Sequence, residues 1–134
     1  MTFSKLTILV LPTILFIGCS NTPNDAVTNM YDALKEGNVV KLANNTDESM
    51  SVMLIADSLK ECSIDKKSYT DEMKLAIDCI IEKYADIKYK NVETVNIINE
   101  HAYVKVSVIS NNNENSLTLI VKKIGDKWMV KAPK

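Results

Sequence analysis

The chain has 134 residues, enough for one domain, and 46% of them are apolar, which excludes a disordered polypeptide. Its formal net charge is −1, and removal of residues 1–18, with Lys5, would leave 15 lysines against 17 acidic residues, so nothing electrostatic favours DNA or RNA as a partner. There is no Arg and no Gln, so the protein offers no bidentate guanidinium fork to a carboxylate or phosphate.

In chain order, the first feature is an export segment. Lys5 and the amino terminus make a weakly positive start, and Leu6 to Ile17 is an apolar run interrupted by Thr7, Pro12 and Thr13. Its twelve residues would span about 18 Å as a helix, short of the ~30 Å hydrocarbon core of a bilayer. The run therefore fits a signal-peptide core better than a spanning helix. It ends in Phe16-Ile17-Gly18-Cys19. This resembles the lipobox of bacterial lipoprotein precursors, in which apolar residues and one small residue precede a Cys; Phe16 stands where Leu is usual. The resemblance implies a signal peptide over residues 1–18, lipidation of Cys19, a short tether at 19–21 and a single domain over 22–134. The implied partner is a membrane, through the N-terminal lipid. Ser20 occupies the position where Asp retains enteric lipoproteins at the inner membrane. By the same resemblance the implied address is the outer membrane, facing the periplasm.

Helices are expected next. Thr22 reads as an N-cap, Pro23 as the first helical residue and Asp25 as an acid near the positive end of the dipole. Val27, Met30, Tyr31 and Leu34 form an apolar stripe that Gly37 terminates. Asn38 can cap a second helix with Val39, Leu42 and Ala43 on its apolar face, and Asn44-Asn45 interrupts it. Thr46 or Asp47 starts a third segment carrying Met50, Met53, Leu54 and Leu59. After a loop from Cys62 to Lys67, Ser68 is expected to cap a long helix reaching about Asp86, with Asp71 three residues on. Its apolar face would be Met73, Ile77, Ile80 and Tyr84, with Cys79 nearly opposite, beside Leu75.

Export would place Cys62 and Cys79 where disulfides persist, and with Cys19 lipidated they are an even pair. A bridge would close a loop of about 17 residues, worth on the order of 3 kcal/mol. Two free thiols packed as small hydrophobes are the alternative. Two thiols and one distant His do not make a metal site, and the spacing is unlike a redox Cys-x-x-Cys. No cofactor is implied.

Beyond Asp86 the period changes to two. Ala102, Val104, Val106 and Val108 alternate with Tyr103, Lys105, Ser107 and Ile109, a half-buried strand. Leu117, Leu119 and Val121 mark another, Trp128 and Val130 another, and an earlier strand is expected within Ile87 to Ile98. The connections are short and polar, with Gly125-Asp126 a tight turn, so the strands should form an antiparallel meander. Helices first and strands second predict an α+β fold, with N-terminal helices packed on a curved four-stranded sheet.

Two segments carry a further resemblance. Thr22-Pro23 with Met30-Tyr31-Asp32-Ala33-Leu34-Lys35-Glu36-Gly37-Asn38 resembles the first helix and turn of nuclear-transport-factor-2-like domains. Val121-Lys122-Lys123-Ile124-Gly125-Asp126-Lys127-Trp128-Met129-Val130 resembles their last hairpin. Within that superfamily the chain looks like the uncharacterised lipoprotein branch, envelope proteins with a domain of unknown function. The resemblance implies a cone-like, cystatin- or nuclear-transport-factor-2-like arrangement, often with an apolar pocket, and sheet-face dimers are common in the superfamily. It does not decide function, because members include isomerases, dehydratases and plain binding domains.

Catalytic residues are not evident. The single His101 falls in an expected turn, badly placed for a general base. Asp25, Asp47 and Asp71 are explained by capping, and Asp78, Glu82 and Asp86 read as a solvated helix face. Tyr31, Tyr84, Tyr103 and Trp128 could line a pocket, with core packing the commoner role for such residues. Met30, Met50 and Met53 suit an adaptable interior or a greasy groove. The expected function is a non-enzymatic envelope domain that binds a small apolar ligand or an envelope protein. A lyase or isomerase with an unplaced pocket carboxylate is the first alternative, and a structural or inhibitory interaction module the second.

Overall fold

The computed structural model describes residues 21–133. The expected signal peptide over residues 1–18, the expected lipidation site Cys19, and Lys134 lie outside the described residues. Four helices, α1 Pro23–Glu36, α2 Val39–Asn45, α3 Glu48–Lys60 and α4 Glu72–Tyr84, precede four strands, β1 Lys88–Ile98, β2 His101–Ser110, β3 Asn113–Ile124 and β4 Lys127–Val130. The strands form one open antiparallel sheet in the order β1-β2-β3-β4, a meander, and the fold is α+β.

Local chemistry sets the helix boundaries. The Thr22 hydroxyl accepts from the Asp25 N–H while the Asp25 carboxylate accepts from the Thr22 N–H, a reciprocal capping box at α1. Gly37 closes α1 in the left-handed region, at φ 68°. Asn38, Asp47 and Asp71 cap α2, α3 and α4 through side-chain oxygens that accept from helix N–H groups. The start of α4 corrects the expectation that Ser68 caps it. Residues 66–68 form a single 3-10 turn capped by Asp65, and Tyr69 leaves it extended, so the helix begins anew at Asp71.

The core sits between α1 and the sheet. Ala26, Val27, Met30, Tyr31, Ala33 and Leu34 are all buried, because α1 is covered by strands on one side and by α2 and α4 on the other. The sheet contributes Ala102, Val104, Val106 and Val108 from β2, Val121 from β3 and Val130 from β4. Paired residues share a face, so Ala102↔Val121↔Val130 runs straight across three strands. Each fully buried aliphatic side chain contributes roughly 1.5–3 kcal/mol.

The buried face of α4 also differs from expectation. Ala76, Cys79 and Ile80 are buried, whereas Met73 is exposed near the first turn. Cys79 lies inside the apolar face because the α3–α4 connection covers it. A Cys62–Cys79 disulfide ties that connection to α4. The Ser63 N–H and hydroxyl both donate to the Glu82 carboxylate, and the Tyr69 hydroxyl donates to Asp78 at 2.5 Å. Asp78 and Glu82 are thus acceptors that fasten a loop, rather than a merely solvated face. Ala43 of α2 is exposed, and the buried residues of that helix are Leu42 and Asn45.

Turns between strands use asparagine. Asn99, Asn111 and Asn112 adopt positive φ in the β1–β2 and β2–β3 turns, and Asn91 does so at an irregularity in β1 between Lys90 and Glu93. Asn is among the few non-glycine residues that tolerate this region. His101 is the first residue of β2 rather than part of a turn.

Candidate functional site

α3 packs on α2 and α4 rather than against the strands, and the space beneath it is a cleft. The cleft holds about 310 Å³, at the small end of ligand-sized cavities. Met30, Tyr31 and Leu34 of α1 form its floor. Met50, Met53 and Leu54 of α3 form one wall, and Leu117 and Leu119 of β3 contribute to another. Tyr84, Ile87, Val108 and Pro133 complete the lining. Each comes from a local pattern: the three α1 residues are one stripe at spacings of three and four, and Leu117 and Leu119 are alternate positions on the helix-facing side of β3.

The only ionisable groups in this lining are the phenols of Tyr31 and Tyr84. Burial, with the neighbouring Tyr84 second, pushes the Tyr31 hydroxyl up to about 12. Burial also raises Tyr84, with Lys83 acting in the opposite direction. Both are therefore neutral at physiological pH and available as hydrogen-bond donors in an otherwise apolar space. The Tyr31 ring stacks on Tyr89 with centroids 5.5 Å apart, and the Tyr89 hydroxyl donates to Asp32, so the floor of the cleft is held from β1. Met30 in the floor and Met50 and Met53 in the wall give the cleft an adaptable surface.

The four aromatic residues expected around a pocket do not come together. Tyr31 and Tyr84 line the cleft. Tyr103 is on the opposite side of the sheet, beside Ile98, His101, Ile120 and Lys131 in a separate surface depression. Strand parity is the reason: Tyr103 lies between Ala102 and Val104, both of which face the helices. Trp128 is on the helix-facing side of β4, paired with Lys123, and its backbone is engaged by Asn21 instead of its ring lining the cleft. Beyond those tyrosines and the three methionines, the lining is made by residues not expected there, Leu117, Leu119, Ile87 and Pro133 among them. The signal for the two leucines was their alternation toward the helix side at the far end of a strand, beyond the cover of α1.

Among the described residues, no group of three or more His, Cys, Asp or Glu side chains is arranged to hold a metal ion, and no helix is long and apolar enough to cross a membrane.

An α+β domain with an antiparallel meander and an apolar cleft under one helix is the class of protein that these features define. The chain belongs to a family known as a domain of unknown function, DUF4878, whose model matches residues 17–131. No curated protein matches the chain.

Proposed function

We propose that the protein is a lipid-anchored envelope domain that holds a small apolar ligand in the cleft between α1, α3 and β3. The observation that carries this reading is the lining itself, twelve residues of which ten are aliphatic, methionine or proline and two are neutral tyrosines. Such a surface favours an acyl or similar hydrocarbon moiety through burial, and the phenols would orient a polar end. A domain of this kind binds rather than catalyses, since neutral phenols without a partner base neither take up nor relay a proton efficiently at pH 7.

The anchor and the address rest on the resemblance of residues 16–19 to a lipobox and on Ser20, which together favour the outer membrane facing the periplasm. The fold is read as nuclear-transport-factor-2-like. What supports this is that its two resembling segments, residues 22–38 and 121–130, are neighbours in space, with α1 packed on β4.

The ligand reading is tested with a soluble form beginning at Ser20, titrated with N-phenyl-1-naphthylamine. A blue-shifted emission that saturates near one dye per chain is expected. Absence of saturable uptake would overturn it. Incorporation of radiolabelled palmitate into the wild-type chain but not into Cys19→Ala tests the anchor.

A further inference from the structure

Where the chain leaves the domain toward Cys19 is tightly defined. The Asn21 side-chain amide donates to the Trp128 carbonyl at 3.0 Å, and its oxygen accepts from the Trp128 N–H at 2.8 Å. One residue later, Thr22 is locked into the α1 capping box. Asn21 therefore occupies the free edge of β4 as a pairing strand residue would. Two residues of fully extended chain reach about 7 Å, so Cys19 stays within that distance of Asn21.

Trp128 pairs with Lys123 just inside the β3–β4 hairpin. The same end of the sheet carries the β1–β2 turn, because the Lys123 N–H donates to the Glu100 carbonyl at 2.8 Å. The start of α1 lies near this end through the Asn21–Trp128 pairing, and the helix then runs along the sheet, where the Thr94 hydroxyl midway along β1 donates to Asn24 at 2.7 Å. Three isoleucines at this end are half exposed, Ile97 at 54%, Ile98 at 52% and Ile124 at 46%. Lys122, Lys123 and Lys127 surround the hairpin, with Asp126 and Glu100 as the nearby acids. Exposed isoleucines flanked by lysines suit the boundary between headgroups and acyl chains.

We propose that this end of the sheet, the β1–β2 turn and the β3–β4 hairpin, rests on the headgroup surface of the bilayer that holds the Cys19 lipid. The inference rests on the lipid-anchor reading and adds an orientation to it: α1 and the strands stand on the membrane by one defined end. The β2–β3 turn at Asn111 and Asn112 then points away from it, because it closes the other end of the same strands.

Trp128 is the only tryptophan, so fluorescence reports the geometry directly. The full lipidated chain is reconstituted in vesicles of phosphatidylethanolamine and phosphatidylglycerol doped with a headgroup-nitroxide phosphatidylcholine. Wild-type emission should be quenched. In a Trp128→Phe background, Ile124→Trp should be quenched severalfold more than Asn113→Trp. A flexible Gly-Ser insert between Ser20 and Asn21 should erase the difference. Palmitate labelling of the same preparation separates the two readings. An unlabelled chain sinks the anchor and the orientation with it. A labelled chain in which positions 113 and 124 are quenched alike, or 113 more, overturns the orientation alone.

Discussion

The hydroxyl of Tyr89 donates to the carboxylate of Asp32 across 2.7 Å, and this bond fastens the edge strand β1 to the central helix α1. Asp32 is one position beyond Tyr31, whose ring stacks on Tyr89, so one strand residue holds two consecutive helix residues. Tyr89→Phe keeps the stacked ring and removes the bond. The expected loss is about 1.5–3 kcal/mol, the range for a hydrogen bond to a charged group. Urea denaturation of the soluble domain measures it, and an unchanged midpoint would show that Asp32 is satisfied by water.

The same tyrosines set the alkaline limit. Tyr31 and Tyr89 are each raised from 10.0 to about 12, by burial first and then by the nearby Tyr84 and Asp32 respectively. The folded state holds these protons more tightly than the unfolded state. Their contribution is fully present below about pH 10 and is lost as the pH climbs toward about 12. Circular dichroism should show unfolding in that window, coincident with late tyrosinate absorbance, and Tyr89→Phe should flatten the slope.

The Cys62–Cys79 bridge spans 17 residues and covers a side chain that is otherwise in the core. A Cys62→Ser/Cys79→Ala pair removes it without burying a hydroxyl at position 79. A loop of that length is worth about 3 kcal/mol, which for a domain of this size lowers Tm by roughly 10–20 °C. Reduction of the wild type with dithiothreitol should produce a similar fall in a thermal melt, and a fall of a degree or two would argue that the hydrogen bonds of Ser63 and Tyr69 hold the connection unaided.

Gly37 and Gly125 both have positive φ, at 68° and 64°, but only Gly37 faces another element. A Cβ at position 37 would lie 2.7 Å from Ile81 Cγ1, whereas one at position 125 meets nothing within 4 Å. Gly125→Ala should lose about 1–2 kcal/mol from backbone strain alone. Gly37→Ala should lose about 1–3 kcal/mol more, from overpacking against α4. Equal losses in the two variants, read by chemical denaturation, would mean that Ile81 moves aside freely.

Leu119→Trp fills the cleft from β3 while its strand position stays apolar. Dye uptake should fall to the background level with the fold intact by circular dichroism. Retained saturable binding would place the dye elsewhere, the depression beside Tyr103 being the next place to look.

Much of this architecture is legible in the sequence. α1 announces itself through Thr22, Pro23, Asp25 and Gly37, each of which has a local chemical role. β2 is equally plain, because Ala102 to Val108 alternates without a break. α4 was harder. Ser68 and Asp71 are both competent caps, and nothing in the local sequence says that residues 66–68 will spend Ser68 on a separate 3-10 turn. Its buried face is not readable locally, because Met73 is as apolar as Ile80 while its exposure depends on how far the neighbouring elements extend. Half of the cleft could be anticipated from the stripe in α1 and the methionines of α3. The placement of Tyr103 on the other face was implicit in its parity with Ala102. That α3 stands off the strands is a tertiary property with no local signature.

The shortest strand receives the longest-range contacts. β4 is met by Asn21 at Trp128, and by Thr46 and Asp47 at Val130 through a parallel bridge and an N–H bond of 2.8 Å. A nascent chain that has not yet produced residues 127–130 leaves the beginning of α1 and the α2–α3 junction without those partners. The start of α1 and the α2–α3 junction are thus secured only after β4 has been made, so the helical layer cannot close before the sheet does.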